Sequence, residues 1–594
     1  LLANVMPVSS GTINLENCTA FYDLLASDPE VLNAIEKGWT IVPEVRGLIY
    51  FTIENTTTPL QRTITLNITA NDTPVIKNIN NNTVLTLDSN NSVTIDTTGM
   101  AREIKIEVSG DVTQLTYDVP YVTDITIKGC PNLSIIRRTT ASSGTMQQAT
   151  SLVSFSLRGV NKISNMDLMF QDCASLTTVS ELNAINAITI QFIFSNCRSL
   201  TSISNIYTSS KLVMATGMFS NCTALTTVPL FDTSNVNTMA YMFRGCTKLV
   251  SVPLFETTKV TNITYMFANC KSLTSIPKFD TQSVINAEYA FSSCSVLTTI
   301  PLLNTSSVTN MCKMFEYCDN LTSIPLLDTG KVTNISAMFY YCSKLTSVPL
   351  FNTSNVTNMR GMLEGCIRLT SVPQFNTAKV ITMSYTFKKC SSLTTIPLLN
   401  TSNVTETESM FNECTKLTTI PAIDMSKVEN ASTMFNNCSG LTSIPVLNVP
   451  NLTTATNMFY GCTKLTTCKL TNLKTSISFT GAPLLNEESI RHTLNNVQTI
   501  TTAQTIDITG CICYDALAGY DIEVLNAIEK GWTIVPEIIS SAIFTLDNTG
   551  KTSQNVALKL TMVEGYNYKI RNLNNNAEIT IPNNLTNIVL DTTG

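Results

Sequence analysis

The chain has 594 residues, a net charge of −6 and only 13% charged residues. That length exceeds what one compact core holds, the negative balance excludes a basic nucleic-acid footprint, and no run of 18 apolar residues is present to span a membrane. Thr, Asn and Ser are abundant, so the surface is expected to use hydroxyls and amides rather than ion pairs.

Residues 1–45 carry a strand signal at Thr12–Leu15, a helical segment at Pro29–Lys37, and then Gly38-Trp39-Thr40-Ile41-Val42. Glu30–Glu44 returns unchanged as Glu523–Glu537, and Cys18 matches Cys511 at the same offset of 493. Both Trp residues, Trp39 and Trp532, sit in these copies. The Asn80-Asn81-Asn82 run and Asp96-Thr97-Thr98-Gly99 likewise return as Asn574-Asn575-Asn576 and Asp591-Thr592-Thr593-Gly594. A super-repeat of about 494 residues follows, as in a long fibre of alternating modules. On this reading residues 1–45 form the C-terminal cap of a preceding repeat array.

Residues 46–108 alternate polar and apolar, as in Tyr50-Phe51-Thr52-Ile53, Thr63–Ile68, Val84–Leu87 and Val93–Ile95, between Asn and Thr clusters. This predicts an antiparallel β-sandwich, Ig-like in outline, acting as a spacer. Residues 109–168 hold irregular strands (Thr123–Lys128, Leu152–Leu157) expected to be the N-terminal rungs of an array, with Thr139–Thr150 as a surface loop.

From 169 to 470 one sentence recurs: Cys-x-x-Leu-Thr-Thr-Val-Pro-Leu-Phe-Asp-Thr-Ser-Asn-Val-x-x-Met-x-x-Met-Phe, as at Cys222–Phe243. The Cys returns every 24 residues from Cys222 to Cys462, with looser copies at Cys173 and Cys197. A fixed period of this size is the mark of a solenoid. The Leu column (Leu225, Leu249, Leu273) and the Val/Ile column three residues on (Val228, Val252, Ile276) are expected to face inward, with Thr226, Thr274 and Thr298 facing out. Pro, present from Pro229 to Pro445, should end the paired segment. Asp232-Thr233-Ser234 reads as a cap and turn. Val236, Met239, Met242 and Phe243 have the spacing of a short helix with one buried stripe. Each rung is thus predicted as strand, turn, helical turn and return, with neighbouring rungs sharing one core and a body on the order of 60 Å long at ~4.8 Å per rung.

The repeat resembles the BspA-type leucine-rich repeats of bacterial surface proteins, which also occur in bacteriophage fibres. The blocks that carry the resemblance are Met338–Pro349 and Asn352–Met359. It implies an α/β solenoid, a leucine-rich repeat array with short strands and short helices, and an extracellular, non-enzymatic, adhesive or recognition role. The β-sandwich (Ig-like) modules would flank that array.

Of the nineteen Cys, thirteen occupy the single repeat column, which reads as small buried apolar side chains; the strand spacing is too wide for disulfides along it. Cys511-Ile-Cys513 is a close pair without an assigned role. After Leu470 the period breaks. Residues 471–537 are expected to form a C-terminal α/β cap, with a helix at Asn486–Leu494 capped by Asn486, a strand at Thr505–Ile508, a helix at Glu523–Lys530 closed by Gly531, and Trp532 sealing the last rung. Residues 538–594 then begin the next β-sandwich.

Chemistry is sparse. The one His, His492, reads as a solvated helix position, so no nucleophile–base pair is expected. Half the members of the column that holds Asp232, Glu256, Asp280, Asp328 and Asp424 are Asn, which fits turn capping better than calcium. No metal and no cofactor is implied. What remains is binding. Tyr241, Tyr265 and Tyr289 share one column, with Tyr317, Tyr340 and Tyr341 near it; Tyr over a hydroxyl-rich surface suits sugars or proteins, and packing between rungs is the structural alternative. The expected partner is a cell-surface glycan or protein, with homo-oligomeric or filamentous assembly open, at a bacterial cell surface or on a virion.

Overall fold

The structure, a computed structural model, describes residues 152–158, 162–517 and 521–536 throughout, and outside them residues 11–14, 39–42, 48–54, 62–64, 66–71, 73–86, 93–95, 103–109, 112–117, 122–128, 133, 135–138, 556–558, 568–571, 578–581 and 588–590. Cys18, Cys130, the helix expected at Pro29–Lys37 and the loop expected at Thr139–Thr150 lie outside them.

The 24-residue period is a coil. A ladder of single parallel bridges runs from Asn165 through Thr189, Met214 and Thr238 to Asn430 and Thr454, one step per repeat. Each rung buries its Cys, Leu, Val/Ile, Phe and Met columns, as Cys246, Leu249, Val252, Phe255, Met266 and Phe267 show. Phe170 to Phe339 form one stack with ring centroids 5.3–5.7 Å apart. Leu363 interrupts it, and it resumes from Phe387 to Phe479. Offset ring pairs of this kind add to the area term of burial.

Two local expectations are corrected. First, the segment around Met242-Phe243 is not helical. Alternate N–H groups leave for the next rung: Met239 to Asn262 O (3.0 Å), Tyr241 to Thr264 O (2.8 Å), Phe243 to Met266 O (2.9 Å) and Gly245 to Ala268 O (2.7 Å). Those between them close three-residue turns, Met242 to Met239 O (3.2 Å) and Arg244 to Tyr241 O (3.1 Å). The chain can alternate because two residues per rung are left-handed, as at Tyr241 (φ 60°) and Gly245 (φ 75°). A helix would keep every N–H for itself.

Second, the Leu-to-Val segment is not a pleated strand in the middle rungs. Cys222, Leu225, Val228 and Phe231 are buried while both Thr226 and Thr227 between them are exposed. Burial therefore recurs every third residue, not every second. Regular pairs form at the two ends of the array, Thr178–Asn183 with Ser202–Ile203 at the first rungs and Ser443–Asn448 with Thr467–Thr471 at the last.

The Thr richness has a use. Thr322 N and its Oγ1 both donate to Thr298 O (3.1 and 3.3 Å). Buried Thr353 donates through Oγ1 to Asn376 O on the next rung (2.8 Å). The thiol column is held the same way: Cys342 Sγ donates to Phe315 O at 3.1 Å. The Asp/Asn column makes Asx turns, since Asp232 Oδ1 accepts from Ser234 N (2.9 Å) and Asn352 Oδ1 from Ser354 N (3.2 Å). These bonds replace water for polar groups that stacking would otherwise strand.

At the N-terminal side, antiparallel strands Leu48–Glu54, Glu103–Ser109, Val75–Asn78 and Thr83–Leu85 pair in one sheet. Leu48–Glu54 also pairs with Val122–Lys128, and parallel strands Ser154–Arg158, Thr178–Asn183 and Ser202–Ile203 continue the same sheet into the first rungs. The antiparallel pairing agrees with the alternation in the sequence; the Ig-like sandwich itself stays an expectation.

At the other end, helix α1 (Glu487–Asn495) starts at Asn486, whose side chain accepts from Ser489 N (3.0 Å). It closes the edge of the sheet. Cys468 N donates to Ser489 Oγ and Leu470 N to Thr493 Oγ1, both at 3.1 Å, so two outward N–H groups of the last strand meet helix hydroxyls. Helix α2 (Ile522–Glu529) is tied to α1 through Arg491, which reaches Glu487 (2.6 Å), Asp521 (2.8 Å) and Glu523 (3.1 Å). Ile477–Ser478, Gln504–Asp507 and Trp532–Val535 form a parallel sheet beside them, with Trp532 buried and its Nε1 donating to Gln498 O (2.8 Å). The strand pair Gly11–Asn14 with Trp39–Val42 repeats this register at the sequence offset: Gly11 faces Trp39 as Gln504 faces Trp532.

Residues 539–594 are a second compact unit, with antiparallel pairs Val556–Leu558 with Ile588–Leu590 and Tyr568–Arg571 with Glu578–Ile581.

Candidate functional site: an aromatic and cationic belt

The left-handed positions that break the helix also place the tyrosines. At φ between 55° and 60°, Tyr241, Tyr265 and Tyr289 turn their side chains out of a row whose Met and Phe neighbours point in. A bulky residue there is backbone-strained, and the stack returns part of that cost. Tyr241 and Tyr265 lie 5.1 Å apart and Tyr265 and Tyr289 4.3 Å apart, nearly parallel and half-buried. Exposed Arg244 holds its guanidinium 5.9 Å and 5.6 Å from the first two rings. Lys313 takes the same left-handed position one rung on, with Nζ 5.0 Å from the Tyr289 ring and 3.2 Å from the Glu316 carboxylate.

Tyr317 and Tyr341 occupy the other left-handed column, both at φ 56°. With Tyr340 they form a second cluster, with ring separations of 5.3, 5.7 and 4.6 Å. Gly365 makes room for it: a Cβ there would lie 2.7 Å from Tyr341 Cγ. The six tyrosines are therefore two clusters on one belt, neither fully buried between rungs nor fully free.

The belt has further members that the sequence reading did not single out. Tyr385 lies under Arg360 (4.5 Å) and Lys388 (4.9 Å), and its hydroxyl donates to Glu408. Lys389 donates to Tyr341 OH at 3.1 Å. Lys388 pairs with Glu364 at 3.2 Å. Tyr385 and Lys313 fall in the Tyr241 column by simple counting of repeats, so the signal was present; only the cations beside them needed the structure.

The electrostatics are those of a half-wet surface. Burial, then the hydrogen bond with Tyr289, pushes the Tyr265 hydroxyl up to about 12. Burial also raises the Glu364 carboxyl against the opposing pull of Lys388, Lys389 and Arg360. The thiols are inert for the same reason: burial lifts Cys294 and Cys366 to about 12, so they are neutral donors. His492 differs from the expected solvated position. It is half-buried on α1, and its Nε2 is buried with no hydrogen-bond partner among the described residues. It lies in the cap, and among the described residues no thiol or hydroxyl is paired with its Nε2. Among the described residues no group of three or more His, Cys, Asp or Glu gathers as a metal site.

A repeat family described as a Mycoplasma protein of unknown function, DUF285, matches residues 143–229, 216–300, 290–395 and 367–473, which together span more than half of the chain. The chain belongs to the DUF285 family. No curated protein matches it. Among solved structures, a leucine-rich cell surface protein of Faecalibacterium prausnitzii A2-165 is 18% identical, over 60% of this chain and 90% of that one, with a TM-score of 0.30. A leucine-rich repeat protein of Eubacterium ventriosum ATCC 27560 is 17% identical, over 58% and 91%, with a TM-score of 0.32. A leucine-rich repeat protein of T. pallidum is 17% identical, over 46% and 83%, with a TM-score of 0.13. All three are bacterial leucine-rich repeat proteins, the group whose repeat the DUF285 array resembles in sequence.

Proposed function

We propose that this chain is a non-enzymatic recognition protein of the bacterial exterior, and that the belt from Tyr241 to Tyr385 binds a surface glycan or protein. The supporting observation is the belt itself. Stacked rings flanked by Arg244, Lys313, Arg360 and Lys389 offer apolar faces, cations and hydroxyls together. Sugars present C–H faces and hydroxyls to such surfaces, and protein hot spots favour Tyr and Arg. The scaffold beneath is rigid because every rung is bonded to its neighbours, so little order is lost on binding.

The test replaces Tyr241, Tyr265 and Tyr289 with Asn, which sits in the same left-handed column at Asn457 and should keep the fold. Binding to a panel of bacterial-surface and host glycans should weaken at least tenfold at unchanged melting temperature. Equal binding by a folded variant removes these residues from the site.

A second reading, a structural or receptor-binding fibre of a bacterial virus, is favoured by the duplication. The repeated strand register at Gly11–Asn14 and Gln504–Asp507 suits a fibre built of alternating modules. Neighbouring genes separate the two: tail genes support the fibre, and a wall anchor or signal peptide in the full reading frame supports the cell surface.

A further inference from the structure

A second surface of the array is apolar where the fold does not require it. In four rungs the chain makes a γ-turn after the Pro, with Phe255 N donating to Pro253 O (3.0 Å) and the same bond at Phe279, Phe351 and Phe375. The residue after the Pro points outward. That residue is Leu in six rungs: Leu230, Leu254, Leu302, Leu326, Leu350 and Leu398, exposed by 55–62%. Lys278 and Gln374 sit at the apex of the same turn with the same bond, so the turn itself has no need of Leu. The leucines form a ridge between the Thr/Ser rows and the Asp/Asn row. Leu302, Leu326 and Leu350 follow one another without a break, and exposed apolar patches mark interaction surfaces.

We propose that this ridge joins two copies of the chain side by side, antiparallel, about Leu326. Three observations favour a second copy. The first is pitch. The ridge repeats at ~4.8 Å and matches another ridge of the same coil, whereas a partner helix advances 5.4 Å per turn and slips by ~5 Å over nine rungs. The second is order. Read outward from Leu326, Leu302 and Leu350 are equivalent, then Lys278 and Gln374, then Leu254 and Leu398, and last Leu230 and Ala422. An antiparallel pair therefore sets five of the six leucines on Leu, Leu230 on Ala422 and each Lys278 on Gln374, while parallel copies in register would set Lys278 on Lys278. The third is area. Six leucines more than half exposed leave on the order of 600 Å² of apolar surface, which the flanking rows raise towards the ~800 Å² per partner of a standard interface. Asp328 meets its own copy at the exposed rim, so salt should preserve or strengthen the pair.

Sedimentation equilibrium of the full chain should show a dimer that persists in 1 M salt. Leu326→Lys, a residue the turn accepts at Lys278, should raise the dimer dissociation constant at least tenfold with an unchanged melting temperature. A mixture of Leu254→Cys chains with Leu398→Cys chains should give the mixed disulfide, and Leu254→Cys alone should not. A monomeric wild type, dissociation by salt, a Leu326→Lys chain that pairs as well as wild type, or self-linking of Leu254→Cys would each overturn the proposal. So would Leu326-dependent sedimentation of a monomer with phosphatidylcholine vesicles, which would give the ridge to lipid.

Discussion

The array and its C-terminal cap satisfy the same backbone in opposite ways. In the array, alternate N–H groups around Phe243 go to the next rung, and no stretch of it has a partner set of its own. In the cap, α1 and α2 keep their N–H groups internal and lend only side chains, Ser489 and Thr493, to the neighbouring strand. Local sequence rules work where bonding is local. They mislead where the bond partner is 23 residues away.

Deleting a core ring should separate the two most sharply. Phe315 stacks on Phe291 at 5.6 Å and on Phe339 at 5.7 Å, and its carbonyl takes the Cys342 thiol. Phe315→Ala should cost about 3–5 kcal/mol, read by urea unfolding. Because rungs meet only their neighbours, the loss should also divide one transition into two, with the rungs on either side melting apart. A single unchanged midpoint would mean that the rungs do not carry their stability through this stack.

The cap should respond locally instead. Asn486→Ala removes the acceptor for Ser489 N and should cost about 1 kcal/mol. Hydrogen exchange should show faster opening of α1 amides, with array amides around Phe291 unchanged. Protection lost along the array would show that the cap nucleates it.

What was legible follows the same division. The 24-residue period, the buried Cys, Leu and Phe columns, the Asx turn at Asp232 and the Asn486 cap were all written in residue type and spacing. The helix expected at Val236–Phe243 failed because apolar spacing of three and four also fits a run of turns that lends its N–H groups sideways. The warning was there in the Asn and Gly at Asn221, Gly245, Asn269 and Gly365, all left-handed. The tyrosine columns, with Tyr317 and Tyr341 four places off the Tyr241 column, could be counted from sequence; that Lys389 lies beside Tyr341 depends on how neighbouring rungs lie side by side. The Pro-Leu-Phe turn, which lifts the ridge, was hidden because Pro was read only as an end to pairing.

The smallest effect tests the acidic column. In Asp232 the hydrogen bonds from Ser234 hold the carboxyl below its usual range, and Ser426 does the same for Asp424. A carboxyl lowered in the folded state contributes stability above its unfolded pKa and loses it as pH falls through the folded one. The share is slight, because both groups are exposed and screened. Asp232→Asn should therefore leave the melting temperature at neutral pH almost unchanged, since Asn352 makes the same turn. It should also make the loss of stability below about pH 4 a little shallower. Millimolar calcium should move neither chain. A rise in melting temperature with calcium that Asp232→Asn abolishes would turn the column from a row of turns into a row of ligands, and the distinction between bonds kept within a rung and bonds lent along the coil would then need a third term, the ion.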